Sequence, residues 1–199
     1  MQRKFSKKFG QLLDFVKFMH EFREVVRYEG SKLGKRIETD SEHSYYVAMT
    51  AWFLIEQDKL KLNKELCLMY ALAHDLVEVY AGDTFVFDKE KTSSQRQREK
   101  MALTKIKKRF SYFKSLTKVI ENYEKKEDRE SRFIYALDKI ISPLQIHLEG
   151  GKLWHQKKVS FTDMFENKNK KIAVSPEIYK YWEELLKEFK KNKKKLFPR

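Results

Sequence analysis

Residues 71–84 read ALAHDLVEVYAGDT, and the fold is decided by how this stretch is read. Alanine, leucine and valine surround an adjacent histidine and aspartate, His74 and Asp75. The apolar spacing, with Leu66, Met69, Tyr70, Ala73 and Val77 as its stripe, predicts a helix that Asn63 caps and that runs to about Tyr80, stopping at Gly82. An aspartate in such surroundings is costly to bury unless its charge is compensated. Glu78 follows His74 by four residues and Asp75 by three, so helical spacing puts the three side chains on one patch of the face. Three polar groups on an apolar helix invite a cation.

The same context recurs twice outward from this stretch. Thr39-Asp40-Ser41-Glu42 supplies a capping box, and the helix it opens runs to about Gln57 with Val47, Ala51 and Leu54 in line with His43. Asp138 sits within FIYALDKII on a predicted helix over 129–148, with Phe133, Ala136, Leu137, Ile140 and Leu144 inward, a kink at Pro143, and Gly150-Gly151 at its end. A lone histidine on such a helix is more often a hydrogen-bonded core residue, and a lone aspartate often pairs with an arginine. Two of each in matching contexts make a ligand set: His43, His74, Asp75 and Asp138. A nitrogen and oxygen shell suits Mn²⁺, Fe²⁺, Co²⁺, Ni²⁺ or Zn²⁺ better than Ca²⁺, and no thiolate favours a structural zinc site.

The rest of the chain is helical in the same way. Periodicity predicts helices over 11–27, through Leu12, Phe15/Val16, Met19, Phe22/Arg23 and Val26, over 89–109, anchored by Met101, Leu103 and Ile106, and over 116–125. Ser175-Pro176-Glu177 opens a last helix carrying Trp182 and Phe189. With only 6 glycines and 3 prolines in 199 residues, turns are too few for an all-β fold. The length fits one all-α domain, expected over 1–186, followed by the basic stretch KEFKKNKKKLFPR (187–199) as a helix end or tail. Cys67 is the single cysteine and reads as a small core residue; His20, His147 and His155 read as surface or core, and Trp154 and Trp182 as packing. No run approaches a membrane span and no signal peptide is read, so the expected place is the cytoplasm. The net charge of +14 draws in phosphorylated small molecules, and the basic tail admits nucleic acid as an alternative partner.

The pattern H…HD…D resembles the HD superfamily of metal-dependent phosphohydrolases. RIETDSEHS (36–44), HDLVEVYAGDT (74–84) and FIYALDKIISPLQIHLEGG (133–151) are similar to the branch that holds the bacterial deoxyribonucleoside 5′-nucleotidases, over roughly residues 12–190. The resemblance implies a compact multi-helix bundle with a central site for one divalent transition metal ion, Mg²⁺ being admitted, and His43, His74, Asp75 and Asp138 as its ligands. It makes Glu78 and Asp83 the acidic pair that handles substrate and proton, and Arg36 a basic position in the loop ahead of His43. It also asks for an upstream phosphate-gripping arginine, for which Arg27 is the nearest candidate. The implied reaction releases phosphate from nucleoside 5′-monophosphates. The alternatives are another phosphoester, either a diester or a nucleoside triphosphate, and a metal-stabilised nucleic-acid-binding protein. Relatives imply a homodimer.

Overall fold

The computed structural model describes residues 5–27, 37–84 and 89–198. The chain is built from helices α1 (Lys7–Arg23), α2 (Asp40–Gln57), α3 (Lys64–Ala73), α4 (Glu78–Ala81), α5 (Lys89–Arg109), α6 (Lys114–Lys125), α7 (Arg129–Leu148), α8 (Lys152–Lys157), α9 (Phe161–Ile172), α10 (Pro176–Lys191) and α11 (Lys193–Leu196). The all-α expectation holds. The Thr39 capping box forms as expected, with the Thr39 hydroxyl taking the Glu42 N–H and the Glu42 carboxylate taking the Thr39 N–H. Asn63 caps α3, and Pro176 stands at the first turn of α10.

Apolar side chains gather into two clusters. One joins α2, α3, α7, α9 and α10 around Val47, Tyr70, Phe133, Ile140, Trp182 and Phe189. The other joins α1, α5 and α6 around Phe18, Phe22, Ile106, Phe110 and Ile120. Residues 73–78 lie between them: Ala73, Leu76 and Val77 pack into the second cluster, while Tyr70 and Ala71 belong to the first. The segment that carries His74 and Asp75 is thus clamped from both sides. Cys67, Trp154 and Trp182 are buried, in agreement with their reading as packing residues.

Three local readings are corrected. The helix expected over 11–27 begins at Lys7 and ends at Arg23, and its buried positions are Phe18 and Phe22, while Leu12 and Val16 stay exposed. Val26 instead bridges Thr39 in an antiparallel pair, with the Arg27 N–H donating to Glu38 O and the Asp40 N–H to Val25 O, both at 3.0 Å. The helix expected to run through to Tyr80 breaks at the His74–Asp75 pair. His74 caps the end of α3, and the N–H groups of Leu76, Glu78, Val79 and Tyr80 bond three residues back instead of four. On α5 the anchors are Ala102 and Ile106, with Met101 exposed, and on α7 Leu144 turns outward while Ile140 and Ile141 turn in.

The basic stretch 187–199 is tied to the core by its few apolar residues. Phe189, Leu196 and Phe197 are buried, and the Phe197 ring stacks on Trp154 at 4.2 Å between centroids. Gly151 makes room for this segment. Its φ is +80°, and a Cβ there would lie 2.1 Å from the Leu196 carbonyl oxygen.

Candidate metal centre

Three parts of the chain deliver the four predicted ligands. His43 comes from the first turn of α2, His74 and Asp75 from the break after α3, and Asp138 from the middle of α7. His43, His74 and Asp75 each bring a ligand atom within 4.8 Å of the others. Asp138 joins them, its Oδ1 lying 2.9 Å from His43 Nε2 and 4.0 Å from His74 Nε2. All but Asp75 are buried.

The hydrogen bonds of His74 make the case for an ion. Its Nδ1 donates to the Ala71 carbonyl at 2.8 Å, and a carbonyl only accepts, so Nδ1 carries the ring proton. Nε2 faces Asp75 Oδ2 at 3.1 Å; burial opposes charge on the ring, but Asp75 and Asp138 raise the His74 pKa, so without an ion a second proton is favoured here and a cation would take its place. Lone pairs facing each other repel unless a cation lies between them. Burial holds the His43 pKa down to about 4, so at neutral pH this ring offers a free pair. Two imidazoles, once free of their second protons, and two carboxylates fit a divalent transition ion.

The acids are kept charged by their neighbours, of which Lys139 was not named from the sequence. Burial opposes ionisation of Asp138, but Lys139 Nζ, 2.6 Å from Oδ2, and His43 outweigh it and hold its pKa well below the usual range. Burial likewise opposes charge on Asp75, and His74 and Arg27 overcome it. Arg27 Nη1 lies 2.8 Å from Asp75 Oδ2, 3.5 Å from Asp40 Oδ1, and its Nε lies 3.9 Å from Glu38 Oε2. The backbone pairing at 25–27 and 38–40 is what carries this guanidinium into the site. Glu38 also stands 3.9 Å from His43 Nδ1 and accepts from Gln145.

Glu78 and Asp40 behave differently. Burial, and then the Asp75 charge, push Glu78 well above the ordinary range, and the same two causes push Asp40 up to about 7. Asp83, two residues past the end of α4, acts on Arg27, Asp40 and Glu78 through its charge. Arg98 of α5 fastens this corner by donating to Ala81 O at 3.2 Å and to Thr84 Oγ1 at 2.6 Å. Arg36 lies outside the described residues.

The structure thus brings six of the seven predicted site residues it describes into one cluster that could hold an ion, and Asp83 sits near enough to add its field. It adds Glu38, Asp40 and Lys139. Asp40 was hidden inside the capping box, and Lys139 could have been suspected as the cation next to a buried aspartate. His20 and His155 are exposed and His147 packs on Phe189, in line with their reading as ordinary residues.

Comparison with known proteins gives a consistent result. A family model described as HD domain matches residues 19–179. The 5′-deoxynucleotidase HDDC2 of Danio rerio is 30% identical over 142 residues, spanning 68% of this chain and 68% of its own length. HDDC2 of Homo sapiens is 30% identical over 140 residues, 67% of this chain and 66% of its own. The crystal structure of a predicted metal-dependent phosphohydrolase from Magnetospirillum magnetotacticum superposes with a TM-score of 0.81 at 23% identity, over 98% of this chain and 100% of that one. An HD-domain phosphohydrolase from Listeria innocua gives 0.58 at 20% identity, over 90% and 86%. These two likenesses concern the fold.

Proposed function

The chain belongs to the HD-domain family, and from that premise we propose that it is a metal-dependent phosphohydrolase of the 5′-nucleotidase kind, releasing phosphate from deoxynucleoside or nucleoside 5′-monophosphates. The observation that carries the reading is His74, whose Nδ1 bond to Ala71 aims its Nε2 at two carboxylates. His43, His74, Asp75 and Asp138 would hold the ion, which supplies Lewis acidity toward water and the phosphoryl oxygens. Arg27, already among the acids, offers its guanidinium to the phosphate and offsets the charge that grows on it. Glu78, protonated by its surroundings, has a proton to give to the leaving ester oxygen, and Asp83 orients the attacking water. Arg36 is proposed as an additional phosphate contact. A cavity of about 810 Å³, lined by Val77, Gln95, Glu99 and Lys126 among others, opens two residues from Asp75 and has room for a nucleoside.

The test is phosphate release from a panel of mono- and triphosphates and a cyclic diester with Mn²⁺, Co²⁺ or Mg²⁺. Release from monophosphates is expected, with Arg27→Lys raising KM more than it lowers kcat. Turnover of only the diester or triphosphates would move the substrate to those classes, and no turnover with salt-sensitive DNA binding would favour the nucleic-acid reading.

The outer face of α2 supports the homodimer. Residues 43–55 hold no charged side chain, although 36% of the whole chain is charged. Tyr45, Tyr46, Met49, Trp52 and Phe53 are each roughly half exposed, and Met69 and Leu72 of α3 continue the patch. At 150–250 Å² per aromatic ring, the patch offers roughly 700 Å², close to the roughly 800 Å² per partner of a standard interface. Sedimentation should give a dimer, and Trp52→Glu a monomer that still folds.

A further inference from the structure

The lining of the cavity beside Asp75 is not uniform. Its rim is exposed charge, Arg96 on one side and Lys125 on the other. Val77 is buried, and Gln95, Glu99, Leu103 and Lys126 are half-buried. Lys126 is already engaged, since its Nζ donates to Glu124 O at 3.0 Å and lies over the rings of Tyr123 and Tyr135. That leaves one polar pair, Gln95 and Glu99, beside two apolar residues. Gln95, Glu99 and Leu103 recur every fourth position along α5 and so share one face of it.

The pair has a defined sense. Gln95 Nε2 donates to Glu99 Oε1 at 2.7 Å, and neither side chain makes another hydrogen bond among the described residues. A carboxylate only accepts, so the amide turns its NH₂ group to it and not its oxygen. One N–H of that group is used, and the other remains. Each Glu99 oxygen also keeps a free lone pair. Along the pair the order is donor, acceptor, acceptor: Gln95 Nε2, Glu99 Oε1, Glu99 Oε2. Burial raises the Glu99 pKa, and the charges of Asp75 and Lys139 both reach it, so the pair stands in the field of the candidate metal centre and gains from further donors.

We infer that Gln95 and Glu99 read the base of the bound nucleotide and select guanine. The inference rests on the reading of this cavity as the nucleoside seat. Guanine offers the complementary order along its pairing edge, the acceptor O6 and then the donors N1–H and N2–H. Adenine and cytosine place an acceptor where N1–H stands, and thymine and uracil place one where N2–H stands. Each wrong base sets a lone pair against the carboxylate and leaves it short of a donor. Val77 and Leu103 offer apolar surface to the ring.

The test is binding of nucleosides, which carry no phosphate to release, to the whole chain with Mn²⁺, followed by isothermal titration. Deoxyguanosine should bind about tenfold tighter than deoxyinosine, which lacks only the N2 amino group, and should also exceed deoxyadenosine, deoxycytidine and thymidine. Glu99→Gln exchanges an acceptor for a donor and should erase that preference while deoxyadenosine binds no more weakly than before. Gln95→Ala removes the donor facing O6 and should narrow the preference, which keeps the test decisive if Glu99→Gln fails to fold. Equal affinities across the nucleosides, no binding of any of them, or a parallel loss for deoxyguanosine and deoxyadenosine in the variants overturns the guanine assignment. The phosphate-release panel fails separately. Hydrolysis of every monophosphate with one kcat/KM overturns the base assignment alone, whereas a deoxyguanosine preference without hydrolysis of any monophosphate upholds it and removes the nucleotidase reading.

Discussion

Alanine at Gly151 and alanine at Gly150 should have very different costs, although the residues are neighbours with similar backbones. Gly150 has φ +69° and nothing within 4 Å of where a Cβ would stand. Alanine there meets only the left-handed backbone penalty of roughly 1–2 kcal/mol, part of which is regained from a stiffer unfolded chain. Gly151 has φ +80°, and its Cβ would stand 2.1 Å from the Leu196 oxygen and 2.7 Å from the Leu196 Cα. These are backbone atoms, so no rotamer relieves the overlap and the C-terminal segment must lift. Leu196 and Phe197 are buried, and each forfeits roughly 1.5–3 kcal/mol of burial if released. Partial lifting puts Gly151→Ala at about 4 kcal/mol against about 1 kcal/mol for Gly150→Ala. Urea unfolding followed by circular dichroism gives both values. Trp154 fluorescence reports the lifting directly, because Phe197 stacks on that ring. Deleting 196–199 should erase the difference between the two variants. Costs within about 0.5 kcal/mol of each other in the full chain would refute the steric argument.

Other outcomes are equally concrete. Mn²⁺ at a hundredfold above its Kd should add about 2.7 kcal/mol of stability, reversed by chelator, and a rise of the same size in His74→Ala would remove that residue from the ligand set. Burial opposes charge on Glu177, but the Ser175 hydroxyl, a backbone N–H and Arg129 outweigh it and lower its pKa. A carboxylate lowered in the folded state stabilises above its unfolded pKa of about 4.3 and loses that contribution as pH falls through the folded value. Glu177→Gln should therefore flatten the acid limb of stability by about 1 kcal/mol, measured as urea midpoints at pH 7 and below pH 4; an unchanged limb would assign the loss to other carboxylates. Burial pushes the Cys67 thiol up to about 12, so it should react with a disulfide reagent only as fast as the chain opens, and rapid reaction in the native protein would contradict its burial.

Most helices were legible because capping and period are local signals. Thr39, Asn63 and Pro176 mark real starts, and the candidate ligand residues stood out as polar groups in apolar surroundings. The errors came from neighbours far off in sequence. Period placed Phe22 on the inward stripe, where it is buried, but could not say that Phe18, rather than Leu12 and Val16, faces inward, because that depends on α5 and on Arg109, which reaches back to Asp14 and Glu21. Nor could it show α3 breaking at His74, since residues 71–81 are good helix formers and the tighter winding is imposed by packing on both sides. Asp40 read as part of a capping box and Glu38 was not singled out, because only the pairing of 25–27 with 38–40 sets Arg27 beside them. Arg27 itself was expected only by resemblance.

His43 and Asp138 stand 2.9 Å apart in space and 95 residues apart in sequence. Loop closure over such a span is entropically unfavourable, so this contact forms only after much of the chain has condensed. An ion that needs both residues has no complete seat on the unfolded chain or on the first half alone. Its uptake is then a late event that reports a finished fold, and its release removes a cross-link between the two halves of the chain while every helix keeps its own hydrogen bonds.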